Sequence, residues 1–197
     1  MCSSDLAIKS KSEEHAIAMQ NYATALASAD RLDDSLVAGG KAIAIFETLK
    51  NYDAGGLTIA YDRRAQTLQK LGRHDLVNAQ YEKALTLSRK SYGEGGALYL
   101  NTLLSKAMWL HGQGQRAEAW ALVEQVVATP RQPSSDSLGI HEQHYVRGVL
   151  LMNEGKFSEA VVDLSRAVDG WRAAANHPQR LRAAEEALAK AQAGATS

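Results

Sequence analysis

Six histidines are the residues in this 197-residue chain that could best serve as metal ligands or as acid–base catalysts. His141 and His144, in the stretch "HEQH", are three residues apart, whereas a zinc-protease helix places its two histidines four apart. The single cysteine, Cys2, cannot form an internal disulfide or a thiolate cluster. The sequence also contains no phosphate-cradling glycine loop and no nucleophile elbow. We therefore expect no catalytic residue, no metal and no cofactor, and a core or half-buried position for His144.

The charge balance makes nucleic acids and membranes poor candidates for partners. Lys plus Arg and Asp plus Glu both number 22, so no overall basic field would attract a polyanion. No apolar run approaches the length of about 18 residues that a membrane-spanning helix requires. With 45% hydrophobic residues and only three prolines, the composition favours a helical protein, which we expect in the cytoplasm.

The sequence contains four copies of one repeat, and the helices that these repeats predict would position any binding residues. A turn residue occurs at positions 30, 72, 114 and 155, so the copies are 42, 42 and 41 residues apart. It is a glycine in all copies but the first, which has Asp30 instead. A small residue lies seven positions before each turn and a leucine four before it: Ala23, Ala65, Ala107 and Gly148, then Leu26, Leu68, Leu110 and Leu151. Such spacing predicts a helical hairpin whose two helices approach closely, and stacked hairpins bury one shared apolar face.

The second helices carry a recognisable signature. The stretches "GRHDLVNAQYEKAL", "GQRAEAWALVEQVV" and "GKFSEAVVDLSRAV" resemble the second helix of the tetratricopeptide repeat, and the period of about 42 residues is similar to the kinesin light chain type found in many bacterial proteins. The resemblance implies an all-α solenoid of four antiparallel helix pairs in a right-handed superhelix, with a C-terminal capping helix. An ordinary helical bundle is the alternative. The first copy departs from the pattern at Gly39, where the other copies have a bulky residue, and we expect that repeat to be the loosest.

The repeat pattern divides the chain into consecutive segments. We expect four repeats at about 13–54, 55–96, 97–138 and 139–176, a capping helix at 177–193 and a tail at 194–197. The residues 1–12 are predicted to be disordered, and "CSSDL" within them matches the in-frame translation of a sequencing-adapter end, which suggests a scar at the edge of a fragment. The proline-rich connection at 128–139 is expected to shorten the second helix of the third repeat.

The resemblance also implies that the first helix of each pair lines a concave groove. Residues off the packing stripe of these helices are then the binding candidates. In the first two repeats they form a polar floor: Gln20, Asn21, Thr24, Asp62, Arg63, Gln66, Gln69 and Lys70. In the last two they are more apolar: Leu104, Ser105, Met108, His111, Tyr145, Val149, Met152 and Asn153. Leu104, Val149 and Met152 could instead pack on the next repeat.

These features predict a non-catalytic scaffold that binds a peptide or a partner helix in the groove. The chain could also self-associate, which an exposed Trp120 on the convex face would favour. The alternative function is the regulatory or sensory C-terminal segment of a larger signalling enzyme, such as a bacterial serine/threonine kinase, whose catalytic domain would lie upstream.

Overall fold

The computed structural model describes residues 3–49, 53–132, 138–175 and 177–196, and every regular element among them is an α-helix. Cys2 and the centre of the connection at 128–139 lie outside these residues. The helices are α1 Ser3–Ser28, α2 Leu32–Thr48, α3 Ala54–Lys70, α4 His74–Tyr92, α5 Ala97–Gly112, α6 Arg116–Ala128, α7 Leu138–Asn153, α8 Phe157–Ala174 and α9 Pro178–Ala195.

The chain forms two compact units, and each consists of successive antiparallel helix pairs. In the unit Met1–Gly93, α1 packs on α2, α3 packs on α4, and α2 joins the two pairs by packing on α3. In the unit Glu94–Ser197, α5 pairs with α6 and α7 with α8, while α9 covers α8 at the end. Serial packing of neighbouring pairs is the arrangement of an all-α solenoid with a terminal cap.

The four turns inside the pairs have the same geometry, as the repeat pattern predicts. The turn residue has a positive φ in every copy: 59° at Asp30, 70° at Gly72, 79° at Gly114 and 76° at Gly155. The backbone N–H of the residue after the turn residue donates to the carbonyl oxygen of the leucine that lies four positions before the turn residue. The N···O distance is 2.9 Å for Leu26 and 3.0 Å for Leu68, Leu110 and Leu151. This bond satisfies a carbonyl that the end of the first helix would leave unpaired.

The small residues of the pattern lie where two helices of a pair meet. Ala65 and Ala107 are completely buried, and Ala23 is 7% exposed. A Cβ atom added to Gly148 would lie 2.6 Å from Cγ of Leu164, so α7 and α8 approach each other too closely there for a larger side chain. Close approach of the two backbones is therefore the physical reason for this column of small residues.

Two details differ from the sequence-based expectations. Helix α1 begins at Ser3, inside the segment predicted to be disordered, because residues 3–28 contain no glycine or proline to interrupt a helix. Thirteen residues after the turn, the repeat pattern aligns Val127 with Ile43, Leu85 and Val168 and so predicts a buried side chain. Those three are at most 9% exposed, but Val127 is 50% exposed, whereas its neighbour Val126 is 1% exposed. Helix α6 is the shortest, with 13 residues, as the proline-rich connection predicts, and Val127 lies at its open end.

Candidate functional site

Helices α1, α2 and α3 enclose a concave pocket that contains most of the polar residues expected to face the groove in the first two repeats. Gln20 and Thr24 contribute from α1, and Arg63, Gln66 and Lys70 contribute from α3. The complete lining is Gln20, Ala23, Thr24, Ala27, Ser28, Ser35, Gly39, Ala60, Arg63, Arg64, Gln66, Thr67 and Lys70. The other expected residues lie outside the pocket: Asn21 is exposed, and Asp62 and Gln69 are half-buried.

The charged residues that line this pocket are all basic. Arg63, Arg64 and Lys70 line it, and no Asp or Glu is among its described lining residues. Arg64 is held in place, because its Nη1 donates to the carbonyl oxygen of Leu36 at 2.9 Å. Arg63 and Lys70 are exposed at the mouth, where they could reach a negatively charged partner. The pocket therefore favours an anionic or hydrogen-bonding ligand at its rim.

Several hydrogen-bonding side chains on the pocket walls already have partners within their own helix. The hydroxyl groups of Thr24 and Ser28 each donate to a carbonyl oxygen one turn earlier, at 3.1 Å. The amide of Gln66 donates to the Asp62 carboxylate at 2.6 Å. These bonds fix the side chains in defined positions, and the oxygen atoms of Thr24, Ser28 and Gln66 can still accept hydrogen bonds.

The more apolar candidate residues of the last two repeats are less accessible to a binding partner. Leu104 is fully buried and His111 is 9% exposed, so we leave both out of the proposed binding surface. Ser105 and Met108 are half-buried, and Asn153 is exposed.

Tyr145, Val149 and Met152 are partly buried against a cluster that includes Ala187 and Ala191 of α9. Burial raises the pKa of the Tyr145 hydroxyl, and the charge of Glu186 on α9 contributes to the same shift. These three side chains are therefore partly withdrawn from the groove wall that the sequence predicts, and Tyr145 packs beside residues of the capping helix.

A buried ion pair in the fourth repeat was not foreseen from the sequence. Asp163 is 2% exposed, and its carboxylate accepts two hydrogen bonds from Arg147, at 2.6 and 2.7 Å. Nδ1 of His144 lies 2.9 Å from the same carboxylate, so His144 is a half-buried structural residue, as expected. An aspartate at a helix position held by Ala38, Gln80 and Leu122 in the other copies, none of them charged, was the one signal that could have revealed this pair.

A second polar cluster lies near the same turn. Nε1 of Trp120 donates to Glu154 at 2.6 Å, and Nζ of Lys156 lies 3.0 Å from the other oxygen of that carboxylate. The bond from Trp120, followed by the bond from Lys156, lowers the pKa of Glu154. Trp120 is half-buried by these contacts, whereas Trp109 and Trp171 are buried. The cluster uses its charged groups internally, which suits a structural role.

The described residues also bear on two other kinds of feature, metal-binding groups and membrane-spanning helices. Among the described residues, no group of three His, Cys, Asp or Glu side chains could hold a metal ion. None of the described helices is long and apolar enough to cross a bilayer.

Comparisons with known proteins agree with the helical architecture. Residues 57–132, less than half of the chain, match the family model described as tetratricopeptide repeat. No curated protein is a significant match in sequence. Among solved structures, the chain is similar to BtubC (BKLC) from P. vanneervenii, with a TM-score of 0.61 and 19% identity over 95% of this chain and 85% of that chain. At this identity the similarity concerns the fold. The helix pairs and their turns thus resemble those of tetratricopeptide repeats, and residues 57–132 are the part of the chain that matches the family model.

Proposed function

We propose that the chain is a non-catalytic scaffold that binds an extended segment of a partner protein on the α1 and α3 side of the first two repeats. Proteins built from tetratricopeptide repeats generally mediate contacts between proteins. The observation that carries the proposal is the pocket between α1, α2 and α3, where Gln20, Thr24, Arg63, Gln66 and Lys70 lie around one concavity. We also infer from the sequence that the protein acts in the cytoplasm of a bacterium.

The chemistry of the rim indicates the kind of segment that would bind. Arg63 and Lys70 are exposed cations, and the amide and hydroxyl groups of Gln20, Thr24, Ser28 and Gln66 line the same pocket. An extended peptide has unpaired backbone N–H and C=O groups, which such side chains can satisfy, while its acidic side chains would pair with the cations. The last two repeats contribute less, because Tyr145, Val149 and Met152 are already partly buried against a cluster of residues from α7, α8 and α9.

A charge reversal at the rim tests this proposal. Peptides selected from a random-peptide phage library on the full chain should bind the variant Arg63→Glu with Lys70→Glu at least about tenfold more weakly, because two attractive contacts become repulsive. Fluorescence anisotropy with synthetic peptides measures the change. The variant Lys41→Glu with Lys190→Glu is the matched control, since it alters the net charge equally at exposed positions outside the pocket. Equal weakening by both variants, or a selection that yields no peptide, would contradict the proposed function.

A further inference from the structure

The first repeat lacks a side chain that the other three repeats use to fill their helix pairs. Nine residues after the turn, the second, third and fourth repeats place Tyr81, Val123 and Leu164, which are at most 1% exposed. The first repeat has Gly39 at this position, and Gly39 lines the pocket between α1, α2 and α3. The bulky side chain is therefore missing at the place where the pocket lies.

In the first repeat, the residue of α1 that faces Gly39 is also small, so it does not fill the space left by the missing side chain. In the fourth repeat, Leu164 packs against Gly148, where an added Cβ would be 2.6 Å from its Cγ, so a large residue faces a small one. In the first repeat both positions are small: a Cβ added to Gly39 would lie 3.8 Å from Cβ of Ala23, at ordinary contact distance. A methyl group at position 39 would thus have room, and Gly39 borders the open pocket into which a longer side chain would extend.

The floor of this opening is suited to an apolar group. Ala23, Ala27 and Ala60 contribute only methyl groups. The two buried hydroxyl groups on the floor have backbone partners, since Ser35 donates to the Ala23 carbonyl oxygen at 2.8 Å and Thr67 donates to the Arg63 carbonyl oxygen at 3.0 Å. An apolar occupant would therefore leave no buried donor unpaired, and its transfer from water would be favourable.

We propose that this opening receives one branched aliphatic side chain of the bound peptide, of the size of valine or leucine, with acidic residues of the same peptide beside it. The size is that of the side chains that fill the corresponding space in the third and fourth repeats. The acidic neighbours follow from Arg63 and Lys70 at the mouth and from the absence of carboxylates among the described lining residues. This inference rests on the proposed function and specifies the ligand of the same site.

Filling the opening from the protein side tests the inference. The peptides selected on the full chain are measured against Gly39→Leu, which supplies the missing side chain, and against Gly112→Ala, a control at an exposed helical glycine with nothing within 4 Å of an added Cβ. We expect Gly39→Leu to weaken binding about tenfold or more, because the aliphatic residue of the peptide can no longer be buried, and Gly112→Ala to leave binding unchanged.

Changing the peptide provides a second measurement on the unaltered chain. Replacing the aliphatic residue of the peptide by glycine should weaken binding to the chain by the same factor, and should have little further effect on binding to Gly39→Leu. If Arg63→Glu with Lys70→Glu weakens binding while Gly39→Leu and the peptide change do not, the aliphatic subsite is wrong and the proposed function stands. If none of these changes alters binding, or no peptide is selected, both are wrong.

Discussion

Glycines at three kinds of position show how strongly the surroundings of a residue determine its role in this chain. Gly39 leaves an opening, Gly148 permits a close helix crossing, and Gly114 provides a turn with φ of 79°. From the sequence, Gly39 is recognised as a departure from the repeat pattern, and Gly148 and Gly114 are recognised as residues that follow it. Only the distances to neighbouring atoms separate a glycine that could accept a side chain from one that could not.

Alanine substitutions at two of these glycines should have opposite effects on stability. Gly39→Ala should raise the free energy of unfolding by about 0.5–1 kcal/mol, because alanine is the better helix former and its Cβ would lie 3.8 Å from Cβ of Ala23. Gly148→Ala should lower the free energy of unfolding by about 1–2 kcal/mol, because its Cβ would lie 2.6 Å from Cγ of Leu164. Urea unfolding followed by circular dichroism measures both, and equal effects of one sign would contradict the packing described.

At the scale of the element, the repeated turn is the feature that defines the helix pairs. Each turn combines a positive φ with a hydrogen bond from the next residue to a leucine carbonyl, and the four copies agree within 0.1 Å in that bond. Glycine adopts this conformation without the steric cost that a Cβ introduces, whereas Asp30 has to accept that cost in the first repeat.

Gly112, at the end of α5, and Gly114, in the turn that follows, allow this cost to be measured without a packing effect. Neither Gly112 nor Gly114 has an atom within 4 Å of an added Cβ, but only Gly114 has a positive φ. Gly114→Ala should therefore lower the free energy of unfolding by about 1 kcal/mol, while Gly112→Ala should leave it unchanged or slightly higher. The measurement is again urea unfolding, and a Gly114→Ala variant as stable as the Gly112→Ala variant would refute the turn assignment.

At the scale of the whole molecule, periodicity made the helix pairs and their turns predictable. Positions 30, 72, 114 and 155 could be identified because the same tight turn between two helices occurs four times at nearly equal spacing. The start of α1 at Ser3 could not be identified, since a polar stretch without glycine or proline is compatible with helix and with disorder. The Asp163 ion pair depends on side chains from two helices, and spacing along the chain does not report their distance.

The candidate site was predictable only in part, for a related reason. Polar residues on the exposed side of α1 and α3 follow from helical periodicity, so Gln20, Thr24, Arg63 and Gln66 could be named in advance. The partial burial of Met152, and the opening at Gly39, depend on how neighbouring elements pack. Periodicity within one helix contains no information about either.

The most direct test of the account is an NMR titration of the isotope-labelled full chain with a selected peptide, after assignment of the backbone amide signals. The account predicts that the largest shifts occur at residues lining the pocket of α1, α2 and α3, including Thr24, Gly39 and Arg63, and that Gly39→Leu diminishes them. Largest shifts confined to residues 97–195, with the signals of Thr24, Gly39 and Arg63 unmoved at saturation, would contradict it.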